Sequence, residues 1–259
     1  MNRPESFYEQ SQKVKGTVAM RIRIDFEVKE ETLIPYSYQY YLSSWLYRSI
    51  QSVDPSLSEW LHQEGFFHHG RRYKPLVFSR LFFDWNVVKK KSGMVVKGLG
   101  HLFVDTTQKD ITHALTIGAW KQNEVTLSTS QFPLRKVTLL EDPDFANTNV
   151  FRTLSPVVVP IRDGERLHYC HPLESRFYDS MRVSLKHWYT IYQGEEPPAK
   201  EEDIHISLLY PDRFAVRRSA DLTSFKGKNI KGYQFAFSMD ASACMKEVAY
   251  RTGLGSYGS

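Results

Sequence analysis

The sequence predicts an α+β fold of two similar halves, each ordered β-α-β-β-α-β, the split βαβ arrangement of ferredoxin-like (RRM-like) domains. Three observations carry this expectation. Residues 20–28 alternate apolar and charged side chains, as a strand covered on one face requires. Two long helical stripes, Tyr38–Val53 and Leu173–Tyr192, each follow a strand candidate. The sequence of strand and helix signals after the first stripe then recurs after the second.

In the first half, Met20, Ile22, Ile24, Phe26 and Val28 define the covered face of the opening strand. Tyr38, Tyr41, Leu42, Trp45, Leu46, Ile50 and Val53 recur at i, i+3, i+4 and mark a helix. Asp54-Pro55 supplies an N-cap and a first-turn proline for a short second helix with an apolar face of Leu57, Trp60 and Leu61. Gly65 is placed to end it. Strands are expected at Leu76–Val88 and Met94–Val104, joined across Lys89–Gly93. A helix bearing Ile111, Ala114, Leu115 and Gly118 follows, then strands at Glu124–Ser128 and Phe132–Leu140.

The second half restarts with a strand candidate at Val150–Pro160 and a helix marked by Leu173, Phe177, Met181, Leu185, Trp188 and Tyr192. Strands are expected at Ile204–Leu209, Phe214–Arg217 and Gly232–Phe237, before a helix at Met239–Thr252. Gly253-Leu254-Gly255-Ser256-Tyr257-Gly258-Ser259 then forms a glycine loop, where the backbone can take φ > 0 and approach a ligand closely. The second half is expected to lack its last strand in this chain. The expected division is 1–19, a disordered extension ahead of a start at Met20; 20–142, the first domain; and 143–259, the second. The acidic proline turn Glu141–Asp144 marks the boundary.

Composition narrows the function classes. The 259 residues carry 34 Lys and Arg against 29 Asp and Glu, a net charge of +5, which permits a polyanionic partner. No apolar run approaches the ~18 residues of a membrane helix, so no membrane partner is expected. With only Cys170 and Cys244 present, a disulfide framework is not expected and the cytoplasm is the default location. His168-Tyr169-Cys170-His171 gathers possible metal ligands, but no second Cys/His pair stands at zinc spacing, and a polar loop is the expectation. His68-His69 beside Arg71 and Arg72 reads as a solvated basic loop. No G-x-S-x-G motif points to a serine nucleophile.

Three motifs, in order, bring a resemblance. Pro35-Tyr36-Ser37-Tyr38-Gln39-Tyr40-Tyr41-Leu42 with Trp45-Leu46-Tyr47, then Thr153-Leu154-Ser155-Pro156-Val157, then the glycine loop are similar to segments of the CRISPR repeat-processing endoribonucleases. These are the sixth Cas family, within the superfamily of repeat-associated mysterious proteins (RAMP). The resemblance runs from about Met20 onward and implies tandem ferredoxin-like domains and metal-independent, cofactor-free cleavage of CRISPR repeat RNA. By motif position, the family's catalytic tyrosine, histidine and lysine fall on Tyr47, His62 and Lys74. It implies as partners the repeat RNA or its crRNA product and subunits of a CRISPR effector complex, with the protein a monomer or homodimer. The alternative it leaves open is a repeat-RNA-binding subunit that does not cut.

The residues speak to the same chemistry. At about 100° per residue, Tyr47 projects roughly 130° from its helix's apolar stripe and His62 roughly 150° from the Leu57–Trp60–Leu61 face. Histidine can give or take a proton near neutral pH, and lysine stabilises charge on phosphate oxygens. A tyrosine hydroxyl can orient the 2′-OH or the phosphate. For binding, Lys226, Lys228 and Lys231 on an expected hairpin can track a phosphate backbone, and Gly253, Gly255 and Gly258 can offer main-chain N–H groups to it.

Overall fold

The computed structural model describes residues 21–198, 203–225 and 228–255. The first half is a sheet with helices on one face. Strand β1 (Ile22–Pro35) buries Ile22, Ile24, Phe26 and Val28 and leaves the intervening residues partly exposed, as the alternation dictates. It pairs antiparallel with β7 (Gly93–Asp105) on one side and β9 (Ser130–Leu139) on the other. β8 (Glu124–Leu127) extends the sheet beyond β9. The far side of β7 is met in turn by β4 (Val77–Phe78), β5 (Phe82–Phe83) and β6 (Val88–Lys90). The single strand expected over Leu76–Val88 is thus three short pieces. The chain leaves the sheet after β4, where the Arg80 N–H donates to the Leu154 carbonyl at 3.2 Å instead of to the ladder.

Helices α1 (Tyr38–Gln51) and α3 (Lys109–Gln122) cover the sheet. They cross so closely at Gly118 that a Cβ there would lie 1.8 Å from the Ser49 carbonyl oxygen. Only glycine fits this crossing. Trp45, fully buried, donates its indole N–H to the Glu124 carbonyl at 2.7 Å and so joins α1 to the start of β8. Helix α2 (Pro55–Gln63) starts as its sequence requires: Asp54 Oδ1 accepts from the Leu57 N–H at 2.9 Å, a cap worth about 1 kcal/mol. A hairpin not foreseen in the sequence follows, β2 (Phe66–His68) with β3 (Arg71–Tyr73).

The second half has its own core. β10 (Val150–Arg152), β16 (Ala236–Asp240) and β13 (His205–Leu208) form an antiparallel sheet in that order. Helices α4 (Ser175–Gln193) and α6 (Ala243–Thr252) pack against each other. Two hairpins complete it: β11 (Pro160–Asp163) with β12 (Arg166–Tyr169), and β14 (Ala220–Phe225) with β15 (Lys228–Tyr233). Several expectations need correction. The Val150–Pro160 candidate is strand at its start and again at Pro160, where β11 begins, and its Val157–Val159 part is buried beside β15. Phe214–Arg217 is no strand: a 3₁₀ turn at Pro211–Arg213 leads into the helical turn α5 (Val216–Ser219). Met239 belongs to β16, and α6 begins at Ala243 because the Ser242 hydroxyl caps it, accepting from the Met245 N–H at 3.0 Å. Among the described residues no helix is long and apolar enough to cross a membrane.

The halves meet through buried charge. Arg251 of α6, 1% exposed, pairs with Asp105 at the end of β7 (3.5 Å), with Asp142 of the connecting segment, and with Glu247 one turn back (3.1 Å). Asp105 also takes Arg21 Nε at 2.7 Å, and the Arg21 guanidinium lies 3.3 Å from the Tyr250 ring centre. A cleft of about 370 Å³ opens beside this network, lined by Arg21, Val77 and Phe103 from one half and Thr153, Lys246 and Tyr250 from the other.

Removing one partner from such a network leaves uncompensated buried charge. Arg251→Met is expected to destabilise the protein by about 3–5 kcal/mol, read as a fall in the urea midpoint. Adding Asp142→Asn, which removes the carboxylate left without its partner, is expected to recover part of the loss; unchanged stability in Arg251→Met alone would show that the pairing contributes nothing.

Candidate active site

The structure brings Tyr47, His62 and Lys74 together. Tyr47 is on the last turns of α1, half-buried against the first core. Helix α2 packs beside it, with the Ser58 hydroxyl donating to the Tyr47 carbonyl at 3.2 Å. That contact sets His62, in the last turn of α2 and exposed, edge-on to the Tyr47 ring at a centroid separation of 5.4 Å. Lys74 follows β3, and its ammonium donates to the His62 carbonyl and lies 5.9 Å from the centre of the Tyr47 ring.

The hairpin explains how Lys74 reaches the site across the segment from Gln63 to Tyr73. Gly65 turns the chain out of α2 at φ +63°, and any Cβ there would lie 2.5 Å from the Tyr73 carbonyl oxygen. β2 and β3 then carry the chain out and back. On its return, Arg72 donates to the Gln63 carbonyl and Lys74 to the His62 carbonyl. The last turn of a helix leaves carbonyls without intrahelical partners and carries partial negative charge, so two cations are well placed there. Phe66 and Tyr73 of the hairpin pack on the core of the second half, Tyr73 against Trp188 at 5.2 Å, while Phe67 faces solvent.

Electrostatics divide the possible roles. Burial pushes the Tyr47 hydroxyl up to about 12, so at neutral pH it is protonated and can donate a hydrogen bond. Lys74 contributes fixed positive charge beside it.

Of the expected RNA-binding residues, Lys231, Gly253 and Gly255 are among those described. Lys231 is on β15, its ammonium 5.3 Å from the Tyr233 ring centre. Lys226 and the Lys228 side chain lie outside the described residues, as does Gly258. Gly253 ends α6 at φ +73°, its N–H donating to Ala249 at 3.1 Å. Leu254 is buried in the second core, and Gly253 and Leu254 both line the cleft between the halves. Gly255 follows them.

Two groups of possible metal ligands are present among the described residues, where the sequence showed no convincing set. In the first, His168 is bonded to Glu174 at 2.9 Å, and Glu174 also accepts the His171 N–H at 2.9 Å. Cys170, the third member, has its thiol pushed up to about 11 by burial and by Glu174, which disfavours the thiolate a metal needs. This group is a satisfied polar network. The second is His68, His69 and His187. The reading of His68-His69 as a solvated loop fails for His68, whose Nε2 is buried against α4. Burial, with His68, His69 and Arg71 nearby, holds His187 below the usual histidine range. His187 was missed because its neighbours come from the hairpin, 114 residues away for Tyr73, and nothing local announces them.

The tandem ferredoxin-like arrangement is shared with solved structures. One such structure, a RAMP protein binding different RNA substrates, superposes with a TM-score of 0.75 at 22% identity, covering 92% of this chain and 95% of that one. The family model for the N-terminal part of the CRISPR-associated protein Cas6 matches residues 33–138, and that for its C-terminal part matches residues 140–259. The chain belongs to the Cas6 family. It is 25% identical over 203 residues to a CRISPR-associated endoribonuclease Cas6 of Methanocaldococcus jannaschii, spanning 77% of this chain and 76% of the relative. It is 25% identical over 243 residues to the CRISPR-associated endoribonuclease Cas6 of Pyrococcus furiosus, spanning 90% and 84%.

Ultraviolet titration tests the state of Tyr47. Burial favours the neutral phenol, so the phenolate signal that Tyr47→Phe removes is expected to develop near pH 12. A missing signal centred near pH 10 would mean that the hydroxyl is open to solvent.

Proposed function

We propose that this protein cleaves CRISPR repeat RNA within the precursor transcript to produce crRNA. In this reading the 2′-OH of one nucleotide attacks the adjacent phosphate, the P–O5′ bond breaks, and the products carry a 2′,3′-cyclic phosphate and a 5′-OH. The convergence of Tyr47, His62 and Lys74 on one surface supports it, together with the endoribonuclease relatives. His62, exposed at the edge of the group, transfers a proton, as base toward the 2′-OH or as acid toward the leaving 5′ oxygen. Lys74 offsets the negative charge that builds on the phosphorane oxygens. Tyr47, held protonated, donates a hydrogen bond to the 2′-OH or to a phosphate oxygen. Because the RNA supplies the nucleophile and the protein supplies proton transfer and charge, the reaction calls on no bound cofactor.

Binding is assigned to Lys226, Lys228 and Lys231 on the β14–β15 hairpin and to Gly253, Gly255 and Gly258 after α6. A second reading is a subunit of a CRISPR effector complex that holds repeat RNA without cutting it; the structural relative described as a RAMP protein binding different RNA substrates supports the RNA binding common to both readings.

His62→Ala separates the two. Loss of a general acid–base group is expected to slow single-turnover cleavage at least about a hundredfold with repeat affinity retained. Cleavage is expected to persist in EDTA and to stop when the nucleotide 5′ of the scissile phosphate is 2′-deoxy. Wild-type rates in His62→Ala would remove the histidine from the mechanism. A wild-type protein that binds the repeat and leaves it intact would establish the second reading.

Salt dependence tests the assigned binding surface. Affinity is expected to fall about tenfold or more between roughly 50 and 200 mM salt, as counterion release from several phosphates requires. Converting Lys226, Lys228 and Lys231 together to alanine is expected to flatten that slope, and an unchanged slope would place the RNA path elsewhere.

A further inference from the structure

The β2–β3 hairpin meets α4 through more than apolar packing. His68 and His69 of the hairpin and His187 of α4 each bring a possible ligand nitrogen within 4.8 Å of the other two. Their rings are close: 4.2 Å between the centres of His68 and His69, 5.2 Å between His68 and His187, and 5.0 Å between His69 and His187, which stack. The ordinary account of clustered histidines is solvation or mutual hydrogen bonding. It does not cover His68, whose Nε2 is buried and has no hydrogen-bond partner. Native proteins rarely leave such a nitrogen unpaired without a reason.

Two further features point the same way. His69 and Gly70 form the two-residue turn between His68 and Arg71, and both have positive φ, 45° and 72°. Such turns ordinarily use asparagine or glycine first; histidine tolerates this conformation better than most side chains, and here it sets the His69 ring beside those of His68 and His187. Tyr73 Oη sits 2.6 Å from His187 Nδ1. That hydrogen bond fixes the ring and leaves Nε2 for a ligand, which is how metal-bound histidines are usually oriented.

We propose that His68, His69 and His187 form a binding site for a transition-metal ion, Zn²⁺ foremost, which pins the β2–β3 hairpin to α4. Three neutral imidazoles suit Zn²⁺, and water completes a tetrahedral set. Ligand nitrogens around tetrahedral zinc lie roughly 3.4 Å apart, so the rings draw in by about 1 Å to bind. His69 is exposed and can swing inward. Arg71 and Arg72 are exposed, where solvent and salt screen their repulsion of a cation. The ion acts on the hairpin's rigidity and not on RNA, and the site stands on its own residues whatever the RNA reaction is.

The test is Zn²⁺ titration of the full chain, stripped with chelator, against a chromophoric competitor, with Co²⁺ substitution as a spectroscopic check. One Zn²⁺ per chain is expected, with a rise in melting temperature on loading and visible d–d absorption from the Co²⁺ form. His68→Ala and His187→Ala are each expected to weaken binding at least about a hundredfold, and Tyr73→Phe, which only frees the ring, by about tenfold. His69→Ala, at an exposed turn, is expected to lose binding with its melting temperature in chelator unchanged, so a folding defect cannot imitate the result. His113→Ala on α3 is expected to bind as wild type. No saturable binding by the wild type, or equal affinity in the His68, His69 and His187 variants, would overturn the proposal.

Discussion

The buried guanidinium of Arg251 holds the two halves in one arrangement. It answers a carboxylate from the first sheet, one from the connecting segment and one from its own helix, with Asp105 shared by Arg21. Charges placed this deep are costly unless every partner arrives, so losing one partner disturbs the seating of the halves. The cleft is bounded by that seating, since Arg21, Asp105 and Tyr250 all line it. The glycine turn after α6 reaches the cleft because Arg251, two residues before Gly253, anchors the end of that helix.

A second constraint brings together the three residues proposed for catalysis. Tyr47 and His62 are neighbours through the packing of α2 on α1, whereas Lys74 arrives on a hairpin rooted in the other half. Phe66 and Tyr73 belong to the second core, while Arg72 and Lys74 bond the end of α2 in the first. The position of the lysine therefore depends on the docking of the halves as well as on the local chain. The three residues form one site only in the assembled protein.

The sequence showed most clearly what depends on local periodicity. β1, α1 and the Asp54-Pro55 start of α2 each carry their signal within a few residues, and each stands where it was expected. What the sequence hid depends on distant partners. β2 and β3 are three residues each and owe their order to a core assembled from residues far down the chain. Leu76–Val88 reads as one apolar strand, yet Arg80 turns away to Leu154 and to Gln234. Phe214–Arg217 has strand-like composition, but the 3₁₀ turn after Tyr210 at φ +55° redirects it. Of the site, the tyrosine and histidine came through the family motif, with their offset from the helical stripes in agreement but leaving a plain surface position open; Tyr47 is in fact half-buried against the first core. Lys74 came only through the family motif, and His187 carried no signal at all.

The fragmentation of the outer strand has a consequence for encounters between molecules. A long, straight sheet edge offers unpaired N–H and C=O groups on which another chain can lay a strand. Here the outer row beside β7 is divided among pieces of two or three residues, and the opposite border, β8, has four. A passing chain finds at each border only a few consecutive groups to join, with Lys89 and Lys90 among the exposed side chains on one and Glu124 at the start of the other. The first sheet thus stays open but ends in short borders, which disfavours the edge-to-edge growth that begins aggregation.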